Sequence, residues 1–176
     1  QTEQYKNYPV RNPRLNGTSL RGRTLLIRRE QGLGDEIMYA SCFQQVVDDA
    51  QECFIECEPR LEKLFSRSFP KATVFCTTND DRKFPQSIPE VAIDAQVYAA
   101  SLPRYLRNSL RDFPDHAGYL VADPGRAQHW QAQLATLGAG LKVGISWRGG
   151  TALTHTGRRS LTLETLLPVL AVTGVH

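Results

Sequence analysis

Thr24-Leu25-Leu26-Ile27-Arg28-Arg29-Glu30-Gln31-Gly32-Leu33-Gly34-Asp35 is the stretch on which the fold turns. Its first five residues form a short apolar run of the kind that makes a buried strand. Gly32 and Gly34 then let the backbone turn sharply and let another group approach the main chain. From Leu33 to about Ala50 the apolar positions Leu33, Ile37, Ala40, Val47 and Ala50 recur at helical spacing. Asp35 and Glu36 fall in the first turn of that helix, where carboxylates suit the helix dipole. Strand, glycine turn and helix together make one α/β unit.

Further units follow in the same rhythm. Cys53-Phe54-Ile55-Glu56-Cys57 reads as a second strand closed by Pro59, and a short helix with Leu61, Leu64 and Phe65 on one face comes next. Thr73-Val74-Phe75-Cys76 reads as a third strand. Residues 77–90, with Asn79, Asp80, Asp81, Pro85 and Pro89, read as loop. Val91-Ala92-Ile93-Asp94 is the expected fourth strand, and residues 102–113 fit a helix with Leu106 and Leu110 facing inward. Asp123-Pro124 opens another helix, with Trp130, Leu134 and Leu137 on one face and Gly138 and Gly140 at its end. Leu141-Lys142-Val143-Gly144-Ile145-Ser146-Trp147 is expected to be a strand, and Thr162 the cap of a last helix running through Leu170.

Alternating strands and helices argue for parallel strands joined by crossovers. The expected fold class is therefore α/β: a Rossmann-like parallel sheet flanked by helices, followed by the first strand and helix of a second such unit. The expected divisions are a polar lead-in over 1–22, a domain over 23–122, a bridging helix over 123–140 and the start of a further domain over 141–176. One strand and one helix cannot bury a core, and the chain starts at Gln1 without Met. It therefore reads as part of a longer protein.

The composition fits a folded domain, with 41% hydrophobic and 22% charged residues among 176. A net charge of +3 is too small to argue for nucleic acid. Of the four cysteines at 42, 53, 57 and 76, Cys42, Cys53 and Cys57 read as small buried hydrophobes with reduced thiols, and the set lacks the ligand spacing of a zinc site. No stretch reaches the length of a membrane span, and no signal peptide opens the chain. The expected location is cytoplasmic. Peripheral contact with a membrane stays open.

Ligands of open parallel sheets sit beyond the carboxyl ends of the strands. Residues 29–35 and 146–150 hold such positions. Asp35 has two open roles: a helix-start residue that satisfies backbone amides, or a general base for an acceptor hydroxyl. Glu30 reads by default as a strand-end surface charge. Ile37 stands where a dinucleotide fingerprint needs a third small residue, and Glu56 and Glu58 are the only acidic candidates for a ribose, so a nicotinamide oxidoreductase is a weak third reading. In the later loop Arg148, Arg158 and Arg159 place guanidinium groups suited to phosphate oxygens. There Ser160 is either a ligand contact or a helix cap, Trp147 reads as packing, and His155 as a solvated loop residue.

Glu30-Gln31-Gly32-Leu33-Gly34-Asp35-Glu36-Ile37-Met38, Ile55-Glu56-Cys57-Glu58-Pro59-Arg60-Leu61, Val143-Gly144-Ile145-Ser146-Trp147-Arg148-Gly149-Gly150 and Arg159-Ser160-Leu161 occur in that order. The series resembles the glycosyltransferase-like domain that follows tetratricopeptide repeats in many bacterial proteins. That domain is similar to the ADP-heptose:lipopolysaccharide heptosyltransferases. The resemblance spans about residues 23 to 170 and implies a GT-B fold, two Rossmann-like domains facing across a cleft. It implies Asp35 as catalytic base, with Gln31, Gly32 and Gly34 at the acceptor. It places the donor's phosphates on Arg159, with Ser146, Arg148 and Ser160 beside it. A nucleotide-diphosphate sugar would be the donor substrate and a glycan or protein the acceptor, in a scheme that needs no metal or cofactor. The Leu33-Gly34 and Gln-Gly context before Asp35 departs from the usual heptosyltransferase loop. The rival reading is a non-catalytic glycosyltransferase-like module that serves as a binding platform.

Overall fold

A computed structural model describes residues 13–78, 93–115, 117–149 and 160–174. The chain divides into two compact units, residues 1–123 and 124–176.

The first unit is α/β. Its strands are β1 (Thr24–Arg28), β2 (Glu52–Cys57), β3 (Thr73–Cys76) and β4 (Ala95–Tyr98). They form one four-stranded sheet in the order β3-β2-β1-β4. All three pairings are parallel, with Leu26 opposite Phe54 and Gln96, and Ile55 opposite Val74. This is the arrangement of a Rossmann-like sheet. β1 is buried along its whole length, as a central strand covered on both faces must be.

Alternation sorts the side chains of the sheet. Leu25 and Ile27 share one face with Cys53, Ile55, Cys57, Ala95 and Val97. The helix α1 (Leu33–Tyr39) packs Leu33 and Ile37 against this face, and α2 (Phe43–Asp49) and α3 (Glu62–Ser68) bring Phe43, Val46, Val47 and Phe65 to it. Phe43, Phe65 and Phe69 meet with ring centroids 5.4 to 5.8 Å apart. Edge-on and tilted contacts of this kind suit the ring quadrupoles. On the opposite face Leu26, Phe54 and Phe75 form a smaller cluster, with Ile93 against it.

The expected single helix over 33–50 is α1 and α2 joined by a tighter turn at Ala40–Cys42. Four expectations are corrected. The fourth described strand is β4, and Ile93 and Asp94 precede it outside any strand; Val91 and Ala92 lie outside the described residues. Asp94 precedes the strand and fastens it: its Oδ2 accepts from Thr24 N at 2.8 Å, and its own amide donates to Thr24 O at 3.0 Å. Register with β1 therefore selects the strand, which local hydropathy alone does not.

The helix expected over 102–113 is only α4 (Pro103–Leu106), followed by a separate turn at Leu110–Asp112. Arg107 leaves the helical region at φ −135°. Ser109 and Asp112 then form a reciprocal capping box that starts the new turn, which leaves Leu110 90% exposed.

The lead-in is not only a linker. Residues 1–12 lie outside the described part, but Leu15 and Leu20 belong to the core. Gln96 N donates to Pro13 O at 2.9 Å and Leu15 N to Gln96 O at 2.8 Å, so this segment lines the free edge of β4.

In the second unit, α5 (Pro124–Ala135) is followed by a turn that ends at Gly138, whose φ of 88° is a left-handed stop. α6 (Leu163–Leu170) is capped by Thr162, whose Oγ1 accepts from Thr165 N at 3.4 Å. The strand expected over 141–147 is not formed: residues 142–149 have no regular structure. Leu141 makes a single β-bridge, and no strand is described in this unit. Among the described residues no helix is long and apolar enough to cross a membrane.

Candidate functional site

The order β3-β2-β1-β4 means that successive connections leave β1 in opposite directions. The crevice at such a switch point, beyond the carboxyl ends of β1 and β4, is where open α/β sheets take ligands. Glu30 follows β1, and its Oε1 accepts from Ala100 N, after β4, at 2.8 Å. This bond spans the switch point, so Glu30 is a structural tie and not a free surface charge. Burial raises its pKa, the Ala100 bond opposes that, and the Asp35 carboxylate adds to the rise.

Gly32 caps α1 with extended backbone, φ −113° and ψ 138°. A Cβ there would lie 2.6 Å from Asp35 Oδ2. The Asp35 carboxylate therefore folds back over Gly32 at the helix start, and Asp35 stays exposed. Gln31 is exposed too. Gly34 has nothing within 4 Å of the place a Cβ would take, so packing within the chain gives no steric reason for glycine inside this helix. Glycine costs up to about 1 kcal/mol relative to alanine within a helix, and less in the first turn where Gly34 sits.

Beneath this turn lies a network of buried charges. Arg28 Nε donates to Glu56 Oε2 at 2.7 Å, and Thr77 Oγ1 donates to Glu56 Oε1 at 2.8 Å. Arg29 Nε lies 3.5 Å from Glu36 Oε1, and another Arg29 nitrogen donates to the Thr77 carbonyl. Glu36 is 2% exposed. Its Oε2 accepts from Glu58 N at 2.9 Å, while Oε1 has the Arg29 charge but no hydrogen bond. Burial pushes its pKa up to about 7, against the opposing Glu58 amide and Arg29. Glu36 and Glu56 were the residues least visible in the sequence. A single glutamate set between Ile55 and Cys57 in an apolar strand was the available signal. Since Glu56 is held by Arg28 and Thr77, and Glu58 by Arg60 at 2.8 Å, neither offers a free carboxylate to a ribose.

A cleft of about 360 Å3 opens beside this edge, lined by Arg14, Arg28, Tyr98, Ala100, Ser101 and Arg104 among others. Asp35 is not among its lining residues.

In the second unit Ser146 and Arg148 are exposed. Ser160 is half-buried, and its Oγ meets Gly149 N at 3.3 Å and Gly149 O at 3.4 Å. Leu161 N donates to Trp147 O at 2.9 Å. These bonds bring the two ends of the loop together, with Arg148 at its base. Ser160 thus fastens the loop, and Thr162 is the cap of α6. Arg158, Arg159 and His155 lie outside the described residues. Among the described residues no group of three or more His, Cys, Asp or Glu could hold a metal ion.

Among known proteins the chain is similar to Protein FlbA of Caulobacter vibrioides, 34% identical over 171 residues. The alignment covers 92% of this chain and 29% of FlbA, so the chain spans less than a third of that relative's length. No protein-family model and no solved structure matches it.

Proposed function

We propose that the chain is the acceptor-side domain, and the opening of the donor-side domain, of an inverting glycosyltransferase of GT-B architecture. The observation that carries this reading is an exposed carboxylate, Asp35, at the carboxyl edge of the central strand and one residue from a glycine whose side-chain space is empty. In the reaction Asp35 takes the proton of an acceptor hydroxyl, and the oxygen attacks the anomeric carbon from the side opposite the leaving group. The bond to the diphosphate breaks, and the nucleotide diphosphate departs with the electron pair. Arg148 and Arg159, with Ser146, supply cations and a hydroxyl for the charge that develops on it. Ser160 supports them by holding the loop closed through Gly149. A glycan or a protein side chain is the acceptor.

Asp35→Asn in the complete gene product tests the base. Losing a general base costs about 10²- to 10⁴-fold in turnover, and retained turnover with an identified donor would remove Asp35 from the mechanism. Calorimetry with UDP, ADP and GDP tests the donor side. If none binds, the second reading holds: a non-catalytic platform of the same fold. The seating of the Asp35 carboxylate against Gly32, where it serves the start of α1, is the observation that favours it.

A further inference from the structure

The cleft beside β4 is a different feature from the Gln31–Asp35 turn, and its chemistry is one-sided. Its lining holds the cations Arg14, Arg28 and Arg104 and no acidic residue. Arg28 is engaged by Glu56 at 2.7 Å. Arg14 and Arg104 are exposed, and neither has a salt bridge among the described residues. Isolated surface arginines are ordinary. Two that line one concavity whose lining holds no acidic residue are not explained by a salt bridge among the described residues.

Arg14 is held in place by its neighbours. Pro13 and Leu15 both bond to the backbone of Gln96, and Leu15 O also accepts from Tyr105 Oη at 2.7 Å. Leu15 itself is buried in the core. The backbone on both sides of Arg14 is fixed while its side chain stays exposed at the cleft. Tyr105 also follows Arg104 directly, so one hydroxyl ties the segments that carry the two cations. Ser101 adds a hydroxyl to the same wall. A volume of about 360 Å3 lies within the range of about 300–1,000 Å3 of small-molecule sites, and at Arg28 and Tyr98 the cleft reaches the carboxyl ends of β1 and β4.

We propose that this cleft is a subsite for an anionic group, a carboxylate or a phosphate, on a small-molecule ligand, held by Arg14 and Arg104 with Ser101 as a further donor. Guanidinium groups bind both groups through paired N–H donors. On the glycosyltransferase reading the ligand is the acceptor, and that assignment rests on that reading. The subsite itself rests only on the cleft.

The test is an NMR titration of the ¹⁵N-labelled chain at constant ionic strength with inorganic phosphate, glucose 6-phosphate, glucuronate and neutral glucose. The phosphate and carboxylate probes are expected to shift the Ser101 amide and the Arg14 and Arg104 side-chain signals, with glucose without effect. The relative strength of the two sugar probes tells phosphate from carboxylate. Arg14→Gln and Arg104→Gln are each expected to weaken binding about tenfold, equivalent to about 1.4 kcal/mol, with the melting temperature unchanged. Undiminished binding in the double variant, or glucose binding as well as its charged derivatives, would overturn the proposal. So would a titration in which no anion shifts these signals. Anion binding here together with silence of the complete gene product toward UDP, ADP and GDP would count against the transferase reading and leave the subsite standing.

Discussion

Replacing Glu36 with Gln separates the cost of its charge from the value of its shape. The amide oxygen can still accept from Glu58 N, but the side chain no longer ionises. In the folded chain the carboxyl is raised from 4.5 to about 7, chiefly by burial. At about 1.4 kcal/mol per pH unit this amounts to about 3–4 kcal/mol against the folded state with Glu36 ionised, a ceiling that screening lowers toward about 2. Between pH 4.5 and about 7 the native protein keeps a proton that the unfolded chain has released. Stability therefore falls as pH rises through this window and levels off above it. Urea unfolding of wild type and Glu36→Gln at intervals from pH 4.5 to 8 reads the effect. Far-UV circular dichroism is the better signal, because Trp130 and Trp147 both lie in the second unit. Groups common to both proteins, Glu30 included, cancel in the difference. The stability of wild type relative to the variant should drop by about 2–3 kcal/mol across the window and then stay constant. A flat difference would mean that Glu36 does not titrate there, and the account of its burial would be wrong.

Glu56→Ala leaves Arg28, 6% exposed, buried without its carboxylate, and should cost about 3–5 kcal/mol in urea unfolding. Replacing both partners, as Arg28→Leu with Glu56→Leu, should recover most of that loss; no recovery would mean that the pair is not what the region depends on. Gly32→Ala suits the local backbone but places a Cβ 2.6 Å from Asp35 Oδ2, so the flexible carboxylate must swing away. Stability should change by less than about 0.5 kcal/mol, while on the transferase reading turnover of the complete gene product should fall about 10²-fold because the proposed base is displaced. Normal turnover would show that catalysis does not depend on the Gly32-to-Asp35 seating.

β1, the turn at 31–35 and β3 were legible because their signals are local: a short apolar run, paired glycines, a helical period. β4 was not, because Ala95-Gln96-Val97-Tyr98 is no more strand-like than Val91-Ala92-Ile93-Asp94 until it is set beside Leu25–Arg28. The run at 141–147 failed for the complementary reason. Its hydropathy suits a strand, but hydropathy supplies no hydrogen-bonding neighbour. The break after Leu106 was written in Ser109 and Asp112, a capping pair hidden inside an otherwise helical spacing. Within the candidate site, Gln31, Gly32, Gly34 and Asp35 could be placed from sequence because they share one turn. Arg28 with Glu56, and Arg29 with Glu36, could not: each pair joins residues that separately look like surface charges.

Those hidden pairs bear on what the turn is for. Arg29 and Glu36 clamp it from below, and Glu30 ties it sideways to Ala100. Glu36 opposes folding at neutral pH, and Gly34 weakens the helix it belongs to. A loop that only connected β1 to α1 would have no use for either, since an apolar residue at 36 and alanine at 34 would serve packing better. Locally destabilising choices, gathered around one exposed carboxylate at the carboxyl edge of a parallel sheet, are what a preorganised site imposes on its scaffold. The platform reading can borrow the same rigidity, but it has no use for the open space at Gly34. Gly34→Ala therefore tests the transferase reading of the turn: a gain in stability with turnover lost would show that the open space at Gly34 serves the reaction, and a gain in stability with turnover intact would show that it does not.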